Sequence, residues 1–183
     1  MRRRALRLVA VVALLLGCAA LDGCSRKIAD VGAPPCPTVG VLADAAHLAV
    51  YRDGPGRDLT DIRYEADLGP ITGECIYRDK NTNVTVAMKL RITAKLGPAD
   101  RDRLADVGYF VAVIDQESHV LARKEFQSAL EFPPDKVQIA TLEELEEIIK
   151  LKKDQPGSDY NVLVGFLLSH EQVDRNRAAR GGT

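Results

Sequence analysis

Tryptophan is absent from this 183-residue chain, histidine occurs three times, and the charges nearly cancel, with 25 basic against 26 acidic side chains. Each shortage removes a class of function. His47, His119 and His170 fall in separate segments with no His-x-x-x-His or comparable spacing, so they are expected to be solvated surface groups rather than a metal site. The near-neutral total conceals Arg2, Arg3, Arg4 and Arg7 at the start; without them 21 basic residues face 26 acidic ones, a net charge of -5. A mildly acidic body has no basic face to neutralise phosphates, which argues against a nucleic-acid partner. Gly54-Pro55-Gly56-Arg57 lacks the Gly-Lys-Ser/Thr ending and the following helix of a phosphate loop. Asp79, Asn81 and Asn83 match the first oxygen positions of a calcium loop, but Val84 and Leu90 stand where glycine and a bidentate glutamate are required. That segment reads as a polar hairpin turn. Ser158 and Ser169 have no nucleophile-elbow context. No enzymatic activity, catalytic residue, cofactor or metal is expected.

Long apolar runs are also missing. The longest near the N-terminus, Leu8 to Leu16, is nine residues, about half the ~20 that a helix needs to cross a bilayer. Preceded by four arginines and followed by Gly17-Cys18, it has the order of a secretory signal: positive head, apolar middle, small residue at the cut. Leu15-Leu16-Gly17-Cys18 resembles the lipobox of bacterial lipoproteins. That resemblance implies a signal peptide over residues 1–17 and a Cys18 that carries palmitate-type acyl chains at the new N-terminus. Leu21-Asp22-Gly23-Cys24 is the alternative, with Asp22 fitting poorly in an apolar peptidase groove. Acyl chains contribute about 0.8 kcal/mol per buried CH₂, so two or three of them hold a protein stably at a membrane. Ala19 in place of an aspartate is similar to the outer-membrane sorting pattern of some Gram-negative lipoproteins. The implied location is the cell envelope, lipid-anchored in the outer membrane and facing the periplasm. Residues 18–35, with Gly23, Gly32, Pro34 and Pro35, then read as the lipidated end and a tether.

Of the four cysteines, Cys36 and Cys75 remain for the body. Export to an oxidising compartment predicts a disulfide between them. Cys36 stands between two prolines with no basic neighbour to lower its pKa, which argues against a nucleophile.

The body, residues 36–169, reads as strands. Val84 to Leu96 alternates apolar and polar residues, the mark of a long strand with one buried face. Tyr64–Leu68 and Ile71–Tyr77 are shorter candidates around a Gly69-Pro70 bend or bulge. Tyr109–Ile114 and Val120–Phe132 flank Asp115-Gln116-Glu117-Ser118 as a hairpin, and Tyr160–Leu168 is a late core strand. Thr141-Leu142-Glu143-Glu144 has the form of a capping box and Leu142, Leu145 and Ile149 share a helical face, so local rules predict a short helix there. A sandwich can override them by drawing residues 146–151 into a strand. Ser169 caps a second short helix in residues 170–183, which ends in a tail. The acidic run Glu143–Glu147 is a solvated face or a partner surface.

Short strands separated by turns predict a mainly β fold, a single antiparallel sandwich with one or two short helices near the C-terminus. Residues 84–132 resemble immunoglobulin-like and fibronectin-type-III-like modules of bacterial envelope proteins, although the missing tryptophan excludes an antibody-type core. The expected function is that of a membrane-anchored lipoprotein acting as a non-catalytic protein-binding or structural module. Its expected partner is another envelope protein. The alternatives are a periplasmic carrier of a small ligand or lipid, and behind it a hydrolase.

Overall fold

A computed structural model of the chain describes residues 34–181. The signal peptide of residues 1–17, both lipidation candidates Cys18 and Cys24, and most of the tether lie outside the described residues. Eight strands run in order: β1 (Thr38–Val41), β2 (His47–Tyr51), β3 (Ile62–Arg78), β4 (Asn83–Leu96), β5 (Leu104–Ile114), β6 (Val120–Glu131), β7 (Gln138–Lys150) and β8 (Asn161–Phe166). One helix, α1 (His170–Gly181), follows them. The strands form two four-stranded sheets, β2-β3-β4-β7 and β1-β8-β5-β6. All neighbours are antiparallel except the first and last strands, β1 and β8, which pair in parallel. The β-sandwich expected from the sequence is the fold observed.

The alternation of β4 sets the register of the first sheet. Val84, Val86, Met88, Leu90, Ile92 and Ala94 are all buried, facing Val107, Tyr109, Val111, Val162, Val164 and Phe166 from the second sheet in one continuous core. β3 pairs with β4 along its whole length apart from a register shift between Leu68 and Ile71. Gly69-Pro70 occupies that shift. A proline has no N–H to give to a ladder, so it is accommodated where the ladder is already broken. At the β3–β4 turn, Asp79, Lys80 and Asn81 all take positive φ, and Asp79 accepts a hydrogen bond from Asn83 Nδ2 at 2.7 Å. The would-be calcium positions are thus the polar hairpin turn predicted.

The capping-box helix is not formed. Residues 138–150 are strand throughout, paired with β4 from Asn83↔Lys150 to Lys95↔Gln138. Local helix preference is weak beside such a ladder, since without β7 the apolar strand β4 would present an unpaired edge along its full length. Of the two short helices expected, only the later one is present among the described residues. It starts where Ser169 and Gln172 cap each other: Ser169 Oγ accepts from the Gln172 N–H, and Gln172 Oε1 accepts from the Ser169 N–H. No helix among the described residues is long and apolar enough to cross a membrane.

The disulfide Cys36–Cys75 is present, with Cα atoms 5.8 Å apart. It joins the residue two before β1, in one sheet, to β3 in the other. Beside it Tyr77 Oη donates to the Pro35 carbonyl at 2.6 Å and accepts from the Gly157 N–H at 2.9 Å. A side chain at Gly157 would collide with that hydroxyl. The chain therefore enters the sandwich through a covalent and a hydrogen-bonded clamp.

Candidate functional site

Each sheet has two edges, and a bare edge is a template for another strand. β1 is only four residues long. The edge of β2 is covered by α1: Gln172 Nε2 donates to the Ala49 carbonyl at 3.2 Å and Asn176 Nδ2 to the His47 carbonyl at 2.8 Å. These acceptors are two residues apart, the spacing at which strand carbonyls point the same way. None of the helix residues is buried; polar contacts hold it. Arg177 and Arg180 reach Asp44, while Arg57 and Arg175 flank the Tyr51 ring at 5.5 and 5.4 Å and share Glu171. The groove of about 310 Å³ between β2, the following loop and α1 is lined by Tyr51, Arg57, Glu171 and Arg175 among others, with Arg52 and Asp53 at the end of β2.

The edges of β6 and β7 are long, and none of the described residues pairs with them from outside. On β7 the direction of each peptide follows from the ladder ends: the Val137 carbonyl accepts from Leu96 N–H, and the Leu151 N–H donates to the Thr82 carbonyl. Odd-numbered residues thus give their N–H and C=O to β4. The even-numbered residues from Gln138 to Lys150 direct theirs away from the sheet. Their side chains stand on the outer face, where Leu142 is 53 % exposed and Ile148 65 %. Between these two lie Glu144, paired with Lys89 at 3.3 Å, and Glu146. Glu146 stands across Ala87 from Glu74, by the registers Ala87↔Glu146 and Glu74↔Ala87. The small alanine floors an open groove of about 540 Å³ that crosses β3, β4 and β7.

The inward side of β7 is as unusual. Glu143 and Glu147 point between the sheets. Glu147, 4 % exposed, accepts from Lys124 Nζ at 2.9 Å, and Glu143 accepts from Ser128 Oγ at 2.8 Å. Tyr109 lies 3.5 Å from Glu143 and stacks on Phe126 with centroids 5.3 Å apart. Burial, reinforced by the neighbouring Glu143 charge, pushes the Tyr109 hydroxyl up to about 12, so it remains a neutral group. A polar seam therefore closes the flank between β6 and β7. β7 inverts the usual pattern at four positions, placing apolar Leu142 and Ile148 outside and acidic Glu143 and Glu147 inside. Violations of local pattern concentrate at functional or strained sites.

The three histidines fall on three separate elements, His47 on β2, His119 in the β5–β6 turn and His170 at the start of α1. His47 on β2 is half-buried rather than freely solvated, its Nδ1 2.8 Å from Asp67 Oδ1 and its Nε2 3.8 Å from Glu65. The hydrogen bond to Asp67, then the charges of Asp67 and Glu65, raise its pKa against the opposing effect of burial. Its contribution to stability is complete below the ordinary histidine value near ~6.5 and is lost as pH rises through the raised folded value. Urea midpoints are expected to fall between about pH 6 and 8 in the native protein and to fall less in His47→Ala. Parallel pH profiles would refute this role. His119 shares the β5–β6 turn with Asp115 and Glu117, their ligating atoms within 4.8 Å of one another. The alternation Asp-x-Glu-x-His is the sequence signal of this set. Asp115 Oδ1 already accepts from the backbone N–H groups of Glu117 and His119, which is the work of a turn.

No protein-family profile, curated protein or solved structure matches the chain.

Proposed function

We propose that this protein is a lipid-anchored envelope protein of the periplasmic side of the outer membrane, held through Cys18, with Cys24 as the alternative, and acting as a non-catalytic protein-binding module. The reading of the anchor rests on the arginine-rich head, the short apolar run and the Gly-Cys pair. The Cys36–Cys75 bridge supports export to an oxidising compartment. The observation that carries the binding role is the edge of β7, left unpaired among the described residues, with outward-directed peptide groups and exposed Leu142 and Ile148, beside a β2 edge that is covered by a helix. Strand addition uses main-chain hydrogen bonds for affinity and side-chain pockets for specificity, with no cofactor. This reading is favoured over the ligand carrier because Met88, Leu90, Ile92, Tyr109, Tyr160 and Phe166, each 2 % exposed or less, fill the space between the sheets.

The test places a photoreactive benzophenone side chain at Leu142, or at Leu59 in an exposed loop, in the full chain expressed in its own envelope. One protein adduct is expected from Leu142 and none from Leu59. Labelled palmitate is expected in the native chain and absent from Cys18→Ser, Cys24→Ser. Equal adducts at the two positions would end the edge reading, and palmitate surviving the double substitution would end the anchor.

A further inference from the structure

Resting on that binding role, we infer that the edge of β7 takes an antiparallel strand whose alternate residues run apolar, basic, basic, apolar. The outward row of β7 reads Leu142, Glu144, Glu146, Ile148, and these same residues carry the peptide groups directed away from the sheet. A guest strand hydrogen-bonded to them sets its own outward residues directly opposite, where cross-strand pairs of opposite charge stabilise and like charges destabilise. Apolar residues meet Leu142 and Ile148, both largely exposed. Lysine or arginine meets Glu144 and Glu146. A long basic side chain opposite Glu146 lies over Ala87 and reaches toward Glu74, along the groove that crosses the three strands.

The same row argues against a second copy of this chain as the occupant. Antiparallel pairing of two β7 edges that matched Leu142 with Ile148 would set Glu144 against Glu146 twice and Glu143 against Glu147 twice. Shifted registers part the acids, Ile148 centred on its own copy setting Glu146 against Lys150 and Leu142 centred on its own copy setting Ala140 and Gln138 against Glu144 and Glu146, but each pairs only part of the strand and neither engages both apolar residues. In the register that engages both apolar residues the edge thus repels its own copy while remaining open to a basic strand, which is specificity achieved through repulsion as well as attraction.

The test uses the purified full chain in detergent and three synthetic peptides read by fluorescence anisotropy. The first alternates threonine with valine, lysine, arginine and valine; the second replaces the basic pair by glutamate; the third is the first N-methylated at those four outward positions. The first peptide is expected to bind, the second and third at least about tenfold more weakly, and Glu144→Lys, Glu146→Lys to reverse the preference between the first two. Both substitutions are on the surface, and an unchanged thermal transition confirms folding. Equal binding of the acidic peptide, insensitivity to N-methylation, or indifference to the charge reversal would each overturn the inference, as would a concentration-dependent dimer formed through β7. If no peptide binds while Leu142 still yields its photo-adduct, the binding module stands and the basic-strand chemistry falls. If neither is seen, both fall.

Discussion

Replacing Cys36 and Cys75 together by alanine is expected to cost about 4 kcal/mol of stability, from the loop-closure entropy of a bridge that spans some forty residues. The two cysteines are 39 positions apart in sequence and belong to opposite halves of the sandwich. Without the bridge, β1 is retained by four residues of parallel pairing with β8 and by the Tyr77 hydrogen bonds to Pro35 and Gly157. Four residues are too few to hold a strand against fraying, so the β1 edge should open before the core does. For a domain of this size the change corresponds to roughly 10 °C in melting temperature. Thermal and urea melts of the double variant, and of the native protein under reductant, check it. A loss below about 1 kcal/mol would show that the unfolded chain is already compact around these positions. The bridge has a further consequence if the N-terminus is anchored as proposed. Tension from the tether enters at Cys36 and passes covalently into β3, a strand of 17 residues paired with β4 from Tyr64 to Arg78 and with β2 over its first six residues, instead of peeling β1 from its neighbour.

What could be read from the sequence was whatever is written locally. β4 declares itself by alternation over thirteen residues, broken only at Ala87, β5 and β6 by strand-forming runs about a polar turn, and α1 by Ser169. The bend at Gly69-Pro70 and the pairing of Cys36 with Cys75 were legible for the same reason: each needs only the chemistry of the residues themselves. β1 and β2 were not foreseen. Four and five residues are too few for a period to emerge, and β1 exists because Val162 and Val164 of β8, over a hundred positions later, supply its partners. β7 was misread for a different reason. Thr141 to Glu144 follows a capping rule that holds in isolation, and Leu142, Leu145 and Ile149 do share a helical face; the strand wins because β4 offers a long apolar ladder. The candidate edge and the polar seam behind it were therefore illegible, since both depend on which side of β7 faces the core.

That seam makes the second large prediction. Lys124→Met keeps the length of the side chain and removes its charge, leaving Glu147 between the sheets without its cation. Breaking a buried pair costs about 3 to 5 kcal/mol, less where one partner reaches water. The Lys124 side chain is 56 % exposed, so a loss of about 2 kcal/mol is expected, measured by urea unfolding. Adding Glu147→Leu should restore the stability, because an apolar pair of similar volume replaces the ion pair without its desolvation cost. A neutral Lys124→Met would show that water already serves Glu147. The restored double variant is where stability and specificity part. Inward-pointing charges are one means by which edge strands resist pairing with copies of themselves, and Lys124 and Glu147 sit on the two open edges of this sandwich. The Lys124→Met, Glu147→Leu protein is expected to be as stable as the native one and yet to self-associate as its concentration rises, seen by analytical sedimentation. If it remains monomeric, the acidic outer row of Glu144 and Glu146 is the sufficient guard, and the seam serves the packing of Tyr109 and Phe126 instead.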